Sequence, residues 1–108
     1  MRRLFVCLLD EVLPGKPNLF HLPDTRSVVL FTTSSGIIAV ENRCPHAGGM
    51  LDNGIVQGDH LTCVWHGWKF DLLSGKCRNH ERAVLLQIPV EIIENQVFIH
   101  LDDLMTGA

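Results

Sequence analysis

Apolar residues along this chain of 108 residues come in short runs, broken every few positions by Gly, Pro, Asn, Asp or Ser. That spacing predicts strands joined by tight turns. Leu4 to Leu9 is a compact apolar run, and Leu13-Pro14-Gly15-Lys16 behind it is a turn signal. Asn18 to Leu22 is a second short strand closed by Pro23-Asp24. Ser27 to Thr33 is rich in β-branched and aromatic residues, and Ser34-Ser35-Gly36 turns it into Ile37 to Glu41, a hairpin. Ile55-Val56-Gln57 and His60 to Trp65 are short strands around Gly58-Asp59. Trp68 to Leu72 and the segment after Ser74-Gly75 form another hairpin. Val84 to Val90 and Val97 to Leu101 flank Glu94-Asn95-Gln96 and form a terminal antiparallel pair. No long segment carries a helical period, so the expected architecture is all-β.

Composition narrows this picture. At 12.1 kDa the chain holds one core, a single domain over 1–108, without room for separate catalytic and cofactor domains. A formal charge of −3 and a pI near 6.0 argue against nucleic acid. No apolar run is long enough to cross a membrane as a helix. The start, Met1 to Leu9, imitates a signal peptide, but the run stops at Asp10 with no small-residue cleavage site, so a first strand is expected there. The four cysteines do not read as a disulfide framework, which favours a reducing cytoplasm.

Chemistry concentrates in two phrases, Cys44-Pro45-His46 and Cys63-Val64-Trp65-His66, separated by the sixteen residues from Ala47 to Thr62. Each supplies one thiolate and one imidazole, a donor set for two irons with two cysteines on one and two histidines on the other. The order Cys, His, Cys, His is wrong for the common zinc finger, which pairs its cysteines first. A Cys44–Cys63 disulfide is the blandest rival, and it leaves the neighbouring histidines unexplained. Zinc and a disulfide stay open on the residues alone. Gly48, Gly49, Gly54 and Gly67 would permit tight ligand loops whose amides could point at sulfur, and Pro45 stiffens the first.

The stretch from Asn42 to Gly75, NRCPHAGGMLDNGIVQGDHLTCVWHGWKFDLLSG, resembles the cluster-binding region of Rieske [2Fe–2S] proteins. The whole chain is similar in length and strand pattern to small soluble Rieske ferredoxins of bacterial oxygenase systems, and to the small subunit of assimilatory nitrite reductases. The resemblance implies a β-sandwich of stacked antiparallel sheets, with a cluster-binding subdomain inserted at about 42–82. It implies that Cys44 and Cys63 hold an inner iron while His46 and His66 hold an outer one. High-potential relatives brace the cluster with a disulfide, but the matching positions here are Gly49 and Trp65. They also donate serine and tyrosine hydroxyls to sulfur, where this chain has Trp68 and Phe70. Fewer hydrogen bonds to sulfur place the expected potential at the low end of the Rieske range, about −150 mV.

The remaining conspicuous residues have plainer expectations. His21, His60, His80 and His100 lack a ligand phrase and belong on the surface, although the loop holding His80 lacks the proline that many relatives place over the cluster. Cys7 on an apolar strand is a buried small hydrophobe, and Cys77 is a structural or free thiol. Trp65 and Trp68 pack beside the cluster loops. Arg43, Lys69, Lys76, Arg78 and Arg82 intermix with Asp52, Asp59, Asp71 and Glu81, which predicts a mixed solvated surface. The expected function is electron transfer from a flavin reductase to a terminal oxygenase, by a cytoplasmic monomer that docks transiently. The alternatives are a permanent small subunit of a reductase such as nitrite reductase and, last, a redox sensor. Substrate-activating mononuclear iron would need its own carboxylate–histidine set with open positions, and no helix or second domain offers one, so catalysis by this chain alone is not expected.

Overall fold

The computed structural model describes residues 2–23, 26–42, 54–63, 67–78 and 84–101. Its strands are β1 (Arg2–Leu8), β2 (Asn18–His21), β3 (Ser27–Thr33), β4 (Gly36–Glu41), β5 (Ile55–Gln57), β6 (His60–Thr62), β7 (Lys69–Asp71), β8 (Gln87–Ile88), β9 (Val90–Ile93) and β10 (Gln96–Leu101). A single 3₁₀ turn, Leu9–Glu11, follows β1, with the Glu11 carboxylate accepting the Leu8 N–H at 3.2 Å. Every strand pair is antiparallel.

The strands form three sheets, ordered β1-β10-β9, β2-β3-β4-β8 and β5-β6-β7. Alternation along β3 explains how they stack. Val28 and Leu30 belong to one apolar cluster with Cys7, Val97 and Ile99 of the β1-β10-β9 sheet. Val29 and Phe31 point the other way, into a second cluster with Leu61, Cys63 and Phe70 of the β5-β6-β7 sheet. The β2-β3-β4-β8 sheet is therefore the middle layer, covered on both faces. A strand buried on both faces needs no polar positions, which is why Ser27–Thr33 is continuously apolar through its centre, with Val28 to Phe31 all 1% exposed or less.

The run from Val84 to Val90 is not one strand. Pro89 has no N–H to give a ladder, and the chain changes sheet there. Gln87–Ile88 pairs with β4, whereas Val90–Ile93 pairs with β10. The terminal hairpin is accordingly β9–β10, turned by Glu94 and Asn95, both left-handed at φ 49° and 67°. The stretch from His60 to Trp65 is also shorter than expected, since β6 ends at Thr62. The pairing of β1 with β10, with a bulge between Phe5 and Cys7, establishes the start of the chain as a strand.

Candidate metal centre

Cys63 is placed by simple alternation. Along β6, Leu61 faces the middle sheet and is wholly buried, Thr62 faces away, and Cys63 faces inward again at 2% exposure. The chain then reverses. The Cys63 N–H donates to the Trp68 carbonyl at 2.7 Å, and the Gly67 N–H donates back to the Cys63 carbonyl at 2.9 Å. Gly67 sits at φ +65°, where an L side chain is strained. A Cβ there would meet nothing within 4 Å, so the requirement for glycine is conformational and not steric.

The next hairpin loop repeats this closure. Asp71 N–H donates to the Lys76 carbonyl at 2.9 Å and Gly75 N–H to the Asp71 carbonyl at 2.7 Å. The segments CVWHGW and DLLSGK thus share a pattern, each with a left-handed glycine one residue before the loop closes. That common offset is visible in the sequence once the first loop is known. The amides of Cys63 and Gly67 close their own loop, so any amide aimed at sulfur, as the sequence suggests, would have to come from other residues.

Of the four predicted ligands, the described residues contain Cys63. Cys44, His46 and His66 lie outside them, as do Pro45, Gly48, Gly49, Trp65 and His80. Among the described residues no three His, Cys, Asp or Glu side chains gather as a metal site. The donor chemistry of Cys63 nevertheless fits an iron ligand. A thiolate in an apolar cluster is costly to bury alone and becomes tolerable when bound to a cation. Phe70 is wholly buried in the same apolar cluster, and Trp68, half-buried, packs against it.

Cys77 is buried beside these residues in the same cluster, and Cys7 in the other; both are free thiols. Burial, then the nearby Glu11 carboxylate, pushes the Cys7 thiol up to about 11. His21 is exposed as expected. His100 departs from a bare surface role, because it is half-buried with its Nε2 3.0 Å from Glu91 Oε1.

Three supports under the site had no clear sequence signal. The Asp59 carboxylate accepts both Ser34 N–H (2.8 Å) and Ser34 Oγ–H (2.5 Å), joining the β5–β6 turn to the β3–β4 turn of the middle sheet. Those two bonds hold its pKa below the usual carboxylate value. Gln87 Nε2 donates to the carbonyls of Leu72 (2.7 Å) and Leu73 (3.0 Å). Gly75, at φ +81°, lies so close to the Leu85 carbonyl that an added Cβ would stand 2.3 Å from its oxygen.

A family model described as Rieske [2Fe–2S] domain matches residues 2–89. Among curated relatives, a 4β-methylsterol monooxygenase of Methylococcus capsulatus is 47% identical over 53 residues, covering 48% of this chain and 14% of that protein. The chain spans between 12% and 18% of the length of the curated relatives it matches. A ferredoxin of Sphingomonas yanoikuyae B1 superposes with a TM-score of 0.82 at 22% identity, covering 94% of this chain and 100% of that one. A protein described as an NADH-dependent nitrite reductase small subunit of Mycobacterium tuberculosis gives 0.78 at 23% identity, covering 94% and 96%.

Proposed function

This chain belongs to the Rieske [2Fe–2S] domain family, and we propose that it carries single electrons from a flavin reductase to a terminal oxygenase. The observation that supports this most is the burial of Cys63 at the mouth of a glycine-closed loop, in a fold that matches a ferredoxin over its whole length. In this reading Cys44, His46, Cys63 and His66 hold the cluster, within a subdomain of about 42–82. The chain acts as one domain and as a redox component without catalysis of its own. The cluster, when bound, supplies one-electron redox chemistry at the mild potential that imidazole ligation gives.

The chain's own residues tune that chemistry. Cys63 faces inward, which suits a ligand of the inner iron. Phe70 stands where high-potential relatives have a tyrosine, and it has no hydroxyl to offer sulfur. The expected potential is therefore about −150 mV, and voltammetry returning a value well above zero would reject this account of tuning. Reduction adds negative charge beside His46 and His66, so their pKa values should rise with it.

Anaerobic purification with iron and sulfide analysis and electron paramagnetic resonance tests the centre. Two irons, two sulfides and a mixed Cys/His signal are expected, whereas bound zinc overturns the reading. The likeness to a nitrite reductase small subunit favours a second reading, a permanent subunit of a reductase. Native mass separates the two, since the carrier is expected as a cytoplasmic monomer that releases its partners. A stoichiometric large partner would reject the carrier.

A further inference from the structure

Residues 85–89 contact all three sheets. The Leu85 N–H donates to the Gly75 carbonyl at 2.7 Å, in the hairpin loop after β7, and Val84 before it bridges Lys76. Gln87 and Ile88 pair with Val40 and Ala39 of the middle sheet. The Pro89 carbonyl accepts the His100 N–H of β10 at 2.9 Å. From this segment Gln87 Nε2 reaches back to the ligand layer and donates to two successive carbonyls, Leu72 at 2.7 Å and Leu73 at 3.0 Å.

Those carbonyls stand at one end of a ladder whose other end is the ligand loop. β6 and β7 pair as His60 with Asp71, Leu61 with Phe70 and Thr62 with Lys69. One step beyond in each direction, on the same register, the Leu72 N–H donates to the Asp59 carbonyl at 2.8 Å and the Cys63 N–H to the Trp68 carbonyl at 2.7 Å. The place of β7 along β6 therefore decides where the Trp68 carbonyl meets Cys63. Each strand is three residues long, so the ladder itself is short. Burial constrains it only in part. The faces of a strand alternate with period two, so a shift of two residues keeps every side chain on its own face. Phe70 and Leu72, two residues apart, are both wholly buried. Position along the strand needs a reference outside the ladder. The Gln87 amide, with two N–H donors on one nitrogen, supplies it from β8, which is held in turn by β4.

We propose that Gln87 is a positioning residue that sets the register of β7 on β6, and with it the geometry of the Cys63–Trp68 loop. Only the consequence for the cluster rests on the electron-carrier reading above. A ligand is presented in one arrangement when the residues behind it are themselves held by hydrogen bonds. Without the Gln87 amide, β7 samples more than one position and the loop follows it.

The test is hydrogen exchange, read by mass spectrometry of fragments of the cluster-loaded full chain, together with electron paramagnetic resonance of the reduced sample. Gln87 is exposed, so Gln87→Leu removes the amide without opening a core cavity. Fragments holding the Cys63, Gly67 and Leu72 amides should exchange about tenfold faster, in keeping with the modest net worth of a lost hydrogen-bond pair. Those of β1 and β10 should keep the parent rate. The resonance lines should broaden as the cluster meets several loop geometries. Gln87→Glu keeps the length and cannot donate at neutral pH, so it should behave like Gln87→Leu. Gln96→Leu, at an exposed glutamine of the far sheet, should change neither readout. Parent exchange rates at Cys63 and Gly67 in both Gln87 variants overturn the proposal. Equal acceleration in all three sheets also overturns it, as does failure of both variants to fold, since Gln87 would then serve the stability of the whole molecule. Faster exchange with unchanged lines upholds the register role and overturns its bearing on the cluster. Protein that never yields a reducible cluster overturns the carrier reading, and exchange in that protein still decides the register.

Discussion

Gly75 and Cys63 show how differently single residues announce themselves. Cys63 stood out in the sequence because Cys-x-x-His is a pattern that few constraints other than a metal site produce, and the fold buries it. Gly75 looked like any turn glycine, since nothing local reveals that the Leu85 carbonyl will press against it. Its substitution should discriminate between two physical costs. Gly58, at φ +59° with no atom within 4 Å of an added Cβ, would lose only the left-handed backbone preference, about 1–2 kcal/mol. Gly75→Ala adds to that strain a collision with a backbone oxygen at 2.3 Å, which cannot rotate away. The expected loss is about 2–4 kcal/mol, in the range of overpacked and strained positions. Urea unfolding of the two alanine variants checks this; equal midpoints would show that the 84–86 segment yields freely. Asn18 is the same lesson in a polar side chain. It is buried at 6% exposure, accepts the Leu13 N–H, and donates to the carbonyls of Leu13, Lys16 and Leu30. A sequence cannot show that three carbonyls will converge on one amide.

Elements were legible where their signal was local. The β3–β4 hairpin and β5 fell where alternation and turn residues put them, because one strand's pattern and one turn's chemistry decide each. The boundary at Pro89 was missed because both halves of Val84 to Val90 are apolar, and only the partner strands differ. Contacts between elements from different sheets were invisible for the same reason, and the Asp59 clasp is the clearest case. Its carboxylate holds the Ser34 turn through two hydrogen bonds, and its carbonyl accepts the Leu72 N–H at 2.8 Å. Since the folded pKa is lowered, chiefly by the Ser34 hydroxyl and then by the Ser34 amide, the unfolded chain binds the proton more readily. The clasp therefore contributes stability above the ordinary carboxylate pKa, and loses it as pH falls through the folded value. Asp59→Asn should unfold earlier than the parent at neutral pH, with the gap in melting temperature closing under acid conditions. A gap that persists unchanged into acid would mean that the carboxylate charge plays no part.

At the scale of the molecule, the three layers divide the work. The cluster of Cys7, Val28, Leu30, Val97 and Ile99 joins the β1-β10-β9 sheet to the middle layer and, among the described residues, contains no predicted ligand. The cluster on the other face contains Cys63, together with Phe31, Leu61 and Phe70. The layer order was not legible, since a continuous apolar strand does not say which sheet will cover each face. Once known, it predicts where loss of iron is felt. If Cys44, His46, Cys63 and His66 hold the cluster as proposed, stripping the metal would remove the tie between the two ligand loops and leave the Cys63 thiol in apolar surroundings, still able to stay neutral. The far core keeps all its contacts. Local opening has a free energy of its own in each cooperative unit, up to that of global unfolding. Hydrogen exchange should therefore quicken at the amides of β6 and β7 in the iron-free protein, while those of β1, β9 and β10 keep their protection. Uniform acceleration across all three sheets would instead mean that the layers unfold as one unit. In that case the metal would stabilise the whole molecule, not the layer that carries it.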